Sequence, residues 1–269
     1  MVVNDWKGVT MLVAIHQPNF LPRPKVIDKM LAADLTIYLD DVQYVPREWQ
    51  NRALIRAPRG EAHWLSIPTL TKGRSRPLIM QCQVAESPIW RRKHLATIRQ
   101  LYAKSPWLPL FEDRLGHLWY PPIAELASFC IDTTESLTHI LGHAVQTRRA
   151  HEIEIEADSA PQNGLLSGSP TTAPDGEVEA DALDRLEKRT ARLVHLCEAV
   201  GATGYLCGSG GFAYLQLDQF RKAGIAVFLQ RDPEANVTAW RRMSTLDAIL
   251  TRGPQATLEH LLARQYDEL

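Results

Sequence analysis

The sequence predicts an α/β protein: a Rossmann-like, mostly parallel sheet flanked by helices, with a helical C-terminal portion. Three observations carry this. Short apolar runs bounded by Pro, Gly or Asp recur along the chain, at 13–15, 35–39, 204–207 and 225–229. Segments with helical spacing of apolar residues lie between them. The first two runs and the helix between them fit within about thirty residues, the size of a strand–helix–strand unit.

Taken in order, residues 1–11 are an N-terminal extension, 12–253 an α/β domain and 254–269 a C-terminal helix. The run Val13-Ala-Ile-His16 reads as a buried strand and ends in Gln17-Pro18-Asn19-Phe-Leu-Pro22, where two prolines stiffen the turn. Residues 25–33 (KVIDKMLAA) place Val26, Ile27, Met30 and Leu31 on a helix face, and 35–39 (LTIYL) form the next strand. Strands are expected at 62–68, with Trp64 and Ile67 packing inward, and at 78–84. Ser87 and Pro88 start a helix that runs to Tyr102, and a long amphipathic helix or two shorter ones fill 124–147. Residues 158–181 are rich in Ser, Pro, Gly and acidic residues, which favours a mobile surface insertion. A helix over 182–200 stops at Gly201, a strand at 204–207 enters the turn Gly208-Ser209-Gly210-Gly211, and 225–229 is a further strand. Ser244 caps a helix through Leu250, and 257–263 is the last helix.

Composition narrows the function classes. With 269 residues and a net charge of −1, the chain has room for a sizeable core and no global basic field for nucleic acid. Local basic clusters do occur, at Lys72, Arg74 and Arg76 and at Arg91-Arg92-Lys93. The four cysteines (Cys82, Cys130, Cys197 and Cys207) lack metal-ligand spacing and are expected as free thiols in a reducing cytoplasm. No apolar run reaches membrane-span length, and neither a membrane partner nor a secretion signal is expected.

Open α/β sheets bind ligands at strand carboxyl ends, so the polar tips of the first two predicted strands are the leading candidates. His16, Gln17 and Asn19 follow the first strand; Asp40, Asp41 and Gln43 follow the second. A histidine oriented by a carboxylate works as a general base near neutral pH, so His16 with Asp40 and Asp41 form the candidate catalytic set. The loop after them carries Trp49-Gln50-Asn51-Arg52, an amide–arginine group suited to a carbonyl or an anionic handle. The Gly208 turn offers backbone N–H groups to an oxyanion, preceded by Cys207 and including Ser209. His94 sits in the basic run of a helix and joins the substrate-binding candidates. Each has a structural alternative: a capped turn for the aspartates, a core indole for Trp49, a ligand-free glycine turn and a buried inert thiol.

The blocks Ile15-His-Gln-Pro-Asn-Phe-Leu-Pro22, Asp28-Lys29, Leu39-Asp-Asp-Val-Gln-Tyr44, Trp49-Gln-Asn-Arg52 and Trp64-Leu-Ser-Ile-Pro68 resemble the motif series of the WbqC-like family. Trp90, His94 and Tyr102, then Gly201-Ala-Thr-Gly-Tyr-Leu-Cys-Gly208 and Ser244-Thr-Leu-Asp247, follow in the same order, so the resemblance spans nearly the whole chain. Two positions depart from it: Pro24-Lys25-Val26-Ile27 stands where a Gly-aromatic pair is usual, and Cys207 where a serine is usual. The resemblance implies a setting in surface-polysaccharide or natural-product biosynthesis. In that setting the expectation is an acyl or aminoacyl transferase forming an amide bond on a small amine or amino sugar. Aminoacyl-tRNA is one donor that fits, and no resident metal or cofactor is expected. The His16 corner is also similar in outline to the HxGH loop of nucleotidylyltransferases, which implies an ATP-dependent ligase or nucleotidyl transferase using Mg2+. A non-catalytic module for a nucleotide-sugar or glycan is the third reading.

Overall fold

A computed structural model describes residues 6, 8–56, 61–71, 75–120, 124–153, 180–213, 215–231, 242–263 and 266–269, with the backbone alone for 180–183. The chain opens with strand β1 (Leu12–His16), helix α1 (Pro24–Ala32) and strand β2 (Leu35–Tyr38). A hairpin of β3 (Arg52–Arg56) and β4 (Ala62–Ser66) follows, then the short pair β5 (Thr69–Leu70) and β6 (Gln83–Val84). Helices α2 (Pro88–Leu101), α3 (Leu108–Arg114) and α4 (Leu126–Ile140) lead to β7 (Thr147–Arg149) and α5 (Ala180–Ala199). Strand β8 (Gly204–Cys207), short helices α6 (Ser209–Phe212) and α7 (Leu217–Lys222) and strand β9 (Ala226–Gln230) come next. Helices α8 (Thr245–Arg252) and α9 (Pro254–Leu262) and strand β10 (Tyr266–Glu268) complete the order.

Six strands make the central sheet in the order β10-β9-β8-β1-β2-β7, with only β10 antiparallel. β1 is the turning point of this topology. The chain builds outward from it through β2 and β7, then returns to its other side with β8 and β9. Strand order reverses between β1 and β8, where sheets of this kind open a crevice. Val13 pairs with Leu35 and Tyr205, so the first expected strand–helix–strand unit is present with parallel register.

Side chains alternate across the sheet as period-two burial requires. Leu12, Ala14, Leu206 and Phe228 pack on one face, where Trp6, Val9 and Tyr266 join them. Val13, Ile15, Tyr205 and Val227 belong to the larger core. The caps read from the sequence are present: Ser87 Oγ accepts from Ile89 N (3.3 Å) at α2, and Ser244 Oγ accepts from Leu246 N (3.1 Å) at α8. Helix α1 begins at Pro24, whose fixed φ and missing N–H suit a first turn.

Several expectations need correction. Residues 78–84 are not one strand: Gln81 N bonds Leu78 O and Cys82 N bonds Ile79 O, closing a 3-10 turn before β6. The helix over 124–147 ends at Ile140, and Thr147–Arg149 is the edge strand β7. Trp64 is 39% exposed rather than packed inward, whereas Ile67 is buried. Residues 254–269 hold β10 as well as helix α9. The insertion expected at 158–181 lies outside the described residues apart from 180 and 181, where α5 begins; Lys72 and Arg74 lie outside them too. All four cysteines are free and buried. No helix among the described residues is long and apolar enough to cross a membrane.

Candidate functional site

The corner after β1 is fixed by bonds from three other parts of the chain. Phe20 N bonds Trp49 O (3.0 Å), Thr245 Oγ1 bonds Pro22 O (2.9 Å), and Thr134 Oγ1 bonds Asn19 O (3.3 Å). This holds His16, Gln17 and Asn19 at the mouth of the crevice between β1 and β8. A cavity of about 670 Å³ opens there, walled by His16, Gln17, Asn19, Trp49 and Gln50 on one side and by Arg189, Tyr205 and Gly210 on the other. A smaller compartment of about 260 Å³ adjoins it, and His16, Arg23 and Tyr205 line both.

His16 Nε2 lies 3.0 Å from Asn19 Oδ1, and Asn19 Nδ2 donates to Pro18 O (3.2 Å). That second bond orients the amide, so Asn19 offers an oxygen and His16 carries its proton on Nε2, leaving Nδ1 with the lone pair. Burial, then the charge of Lys29, with smaller effects of Arg23 and Lys25, lowers the His16 pKa to about 3 against the opposing bond to Asn19. The ring is neutral at physiological pH. Gln50 Nε2 donates to Gln17 Oε1 (2.7 Å) while its own Oε1 accepts from Val45 N (2.9 Å), so the two glutamines form a fixed polar wall. The Arg23 guanidinium lies 4.2 Å over the Trp49 ring, and Arg52 lies 4.1 Å over Trp64, which meets Trp49 at 5.3 Å. Arg23, Trp49, Trp64 and Arg52 thus form one continuous cation–aromatic stack beside the opening.

The structure does not bring Asp40 and Asp41 to His16. Asp40 is fully buried against β7, where its carboxylate accepts from Arg149 Nε (2.6 Å) and meets His151 Nδ1 (2.7 Å). Asp41 pairs with Arg192 of α5. Neither lines the cavity, and the amide of Asn19 takes the place expected for a carboxylate. Gln43 bridges to Leu78 across the neighbouring loop. Asn51 is spent on the backbone, donating to Ile67 O (3.0 Å) and accepting from Arg47 N (3.2 Å). His94 is a core residue stacked on Phe20 and edge-on to Trp90, with Nε2 on Ser66 O (3.1 Å) and Nδ1 accepting from Trp119 Nε1 (3.4 Å). Burial lowers its pKa to about 4.

The β8 side contributes the other wall. Cys207, Gly208 and Ser209 line the smaller compartment. Burial pushes the Cys207 thiol up to about 11, so it stands protonated, and its Sγ lies 3.2 Å from Gly208 O. One residue that the sequence shows within the Asp28-Lys29 block, though not among the site candidates, joins them. Lys29 of α1 is 4% exposed, lines the same compartment and donates to Ile15 O (2.8 Å). Its signals in the sequence are the Asp28-Lys29 block itself and its position, three residues after Val26 on the apolar face of α1.

Comparison with known proteins agrees with the motif series. The uncharacterised protein Rv1507c of Mycobacterium tuberculosis is 24% identical over 219 residues, covering 80% of each chain. No solved structure matches the chain. The WbqC-like protein family matches residues 17–259, from the glutamine beside His16 into α9. The chain belongs to the WbqC-like protein family.

Proposed function

We propose that this protein is an acyl or aminoacyl transferase that forms an amide bond on a small amine or amino sugar, acting in the cytoplasm in surface-polysaccharide or natural-product biosynthesis. The observation behind this reading is His16: a neutral imidazole of set tautomer at the junction of two compartments. One compartment is roomy and mixed in character; the other is cationic. The amine nitrogen attacks the acyl carbonyl, forming C–N as the C–O bond to the donor breaks. Nδ1 of His16 takes the proton from nitrogen and returns it to the leaving oxygen. Burial first, and then the flanking cations, make the ring a weak base; an anionic substrate seated among Lys29, Arg23 and Lys25 offsets the cations' share and strengthens it. An aminoacyl-tRNA donor suits the larger opening, where Arg189 and Arg23 stand at the wall.

The test is turnover of amine acceptors with aminoacyl-tRNA and other activated acyl donors, read by mass spectrometry of the amide. His16→Ala should lower the rate about 100-fold or more while the variant remains folded. Wild-type turnover by that variant would remove His16 from the mechanism. The cationic lining also favours a phosphate-bearing donor, the ligase reading. Amide formation that requires ATP and Mg2+ and releases pyrophosphate would select it instead.

A further inference from the structure

We propose that the smaller compartment is an anion subsite, with Lys29 as its binding cation, for a carboxylate or phosphate group carried by a small molecule. Three cations, Arg23, Lys25 and Lys29, line it, and among the described residues no acidic one does. Among the described residues, no carboxylate lies within ion-pair distance of Lys29, whose hydrogen bond goes to the carbonyl of Ile15. An ammonium has three N–H donors, and burying its charge without a counter-charge is costly. A fold that keeps such a group beside a cavity leaves its counter-charge to be supplied from outside.

Two further features hold the space open. Gly208 has φ −80° and ψ 150°, a conformation any residue adopts, so its backbone does not call for glycine. A Cβ there would stand 3.9 Å from Lys29 Nζ and 3.8 Å from Gln230 Oε1, inside the compartment. Asp28, the carboxylate next to Lys29 in sequence, is engaged elsewhere: Gln230 Nε2 donates to it, as does Tyr266 OH at 2.9 Å. Gln230 Nε2 also donates to Lys25 O (2.8 Å), which leaves Oε1 as the acceptor on the compartment side. An anion with an N–H or O–H beside it, as in an amino acid or a protonated phosphate, matches that pairing of Lys29 with Gln230. The inference concerns binding alone and stands whether or not the acyl-transfer reading holds.

The full chain is titrated with sodium phosphate and, separately, sodium acetate at constant ionic strength, by calorimetry and thermal shift. Saturable binding of either anion at millimolar concentration is expected. Preference for phosphate identifies a phosphorylated handle, and preference for acetate a carboxylate. Lys29→Met should weaken binding about tenfold or more. Gly208→Ala should also weaken it, with a melting temperature close to wild type, because its methyl occupies the approach to the ammonium. Should Lys29→Met fail to fold, Gly208→Ala decides alone. Absence of saturable binding by wild type, or unchanged affinity in the folded variants, would overturn the proposal.

Discussion

Replacing Lys29 by Met should make the protein more stable, not less. Burial displaces the Lys29 pKa from 10.5 to about 8, so at neutral pH the folded state holds a charge that the unfolded chain holds more comfortably. That displacement corresponds to roughly 3 kcal/mol of burial cost. Methionine keeps an unbranched apolar stem one atom shorter but gives up the bond to Ile15 O, a loss of about 1 kcal/mol. A net gain of about 2 kcal/mol is therefore expected near pH 7. The gain should also depend on pH. Between about 8 and 10.5 the unfolded chain binds the Lys29 proton more tightly than the folded one, so wild type gains stability across that window and the variant does not. Urea denaturation of both proteins near pH 7 and near pH 10 measures the gap at each end. A variant less stable than wild type near pH 7, or a gap that does not narrow with rising pH, would refute the claim that Lys29 is an uncompensated buried charge.

Three more outcomes follow from the geometry. His94 has its pKa lowered by burial from 6.5 to about 4, so stability should fall as pH drops through that range, by up to about 3 kcal/mol; urea midpoints against pH should show this limb, flattened in His94→Phe. Asp40→Asn should destabilise by about 2–4 kcal/mol by removing the buried carboxylate that Arg149 and His151 share, leaving Arg149 only the more exposed Glu125, yet leave anion binding intact; lost turnover at unchanged stability would return Asp40 to the candidate catalytic set. Gly253 has φ +89°, and an added Cβ would lie 2.6 Å from the Trp107 ring, so Gly253→Ala should cost about 2–4 kcal/mol in chemical denaturation.

Much of the fold was legible because its signals are local. The runs that became β1, β2 and β8 are apolar and closed by proline, aspartate or glycine, and the serines at α2 and α8 cap as serines do. What escaped was short or polar. Thr147–Arg149 and Tyr266–Glu268 become strands because an existing sheet offers them an edge, not because their residues favour extension. The site divides along the same line. His16, Gln17 and Asn19 adjoin one another in sequence, and the strand-to-turn boundary marks them. The fate of Asp40 was set by Arg149 and His151, 109 and 111 residues away, which no local pattern encodes. Asp40 and His16 end neighbouring strands, yet their side chains serve different partners. The burial of Lys29 escaped for the converse reason, since a lysine in a helix reads as solvated until α1 is placed against the sheet.

The pairing of β1 with β8 bears on how the molecule comes into being. Leu12 meets Gly204 and Ala14 meets Leu206, contacts spanning about 190 residues, in a class of topology that folds slowly. During synthesis His16 leaves the ribosome early, but the wall at Gly208 arrives only when three quarters of the chain is made. Until then β1 is an open strand edge, apolar and ready to pair with whatever is near. Ligand cannot help this stage, because neither compartment exists before β8 docks. The His16 corner is thus among the first parts synthesised and among the last to be completed, and the yield of correctly folded protein should depend on how well the nascent chain is shielded in between.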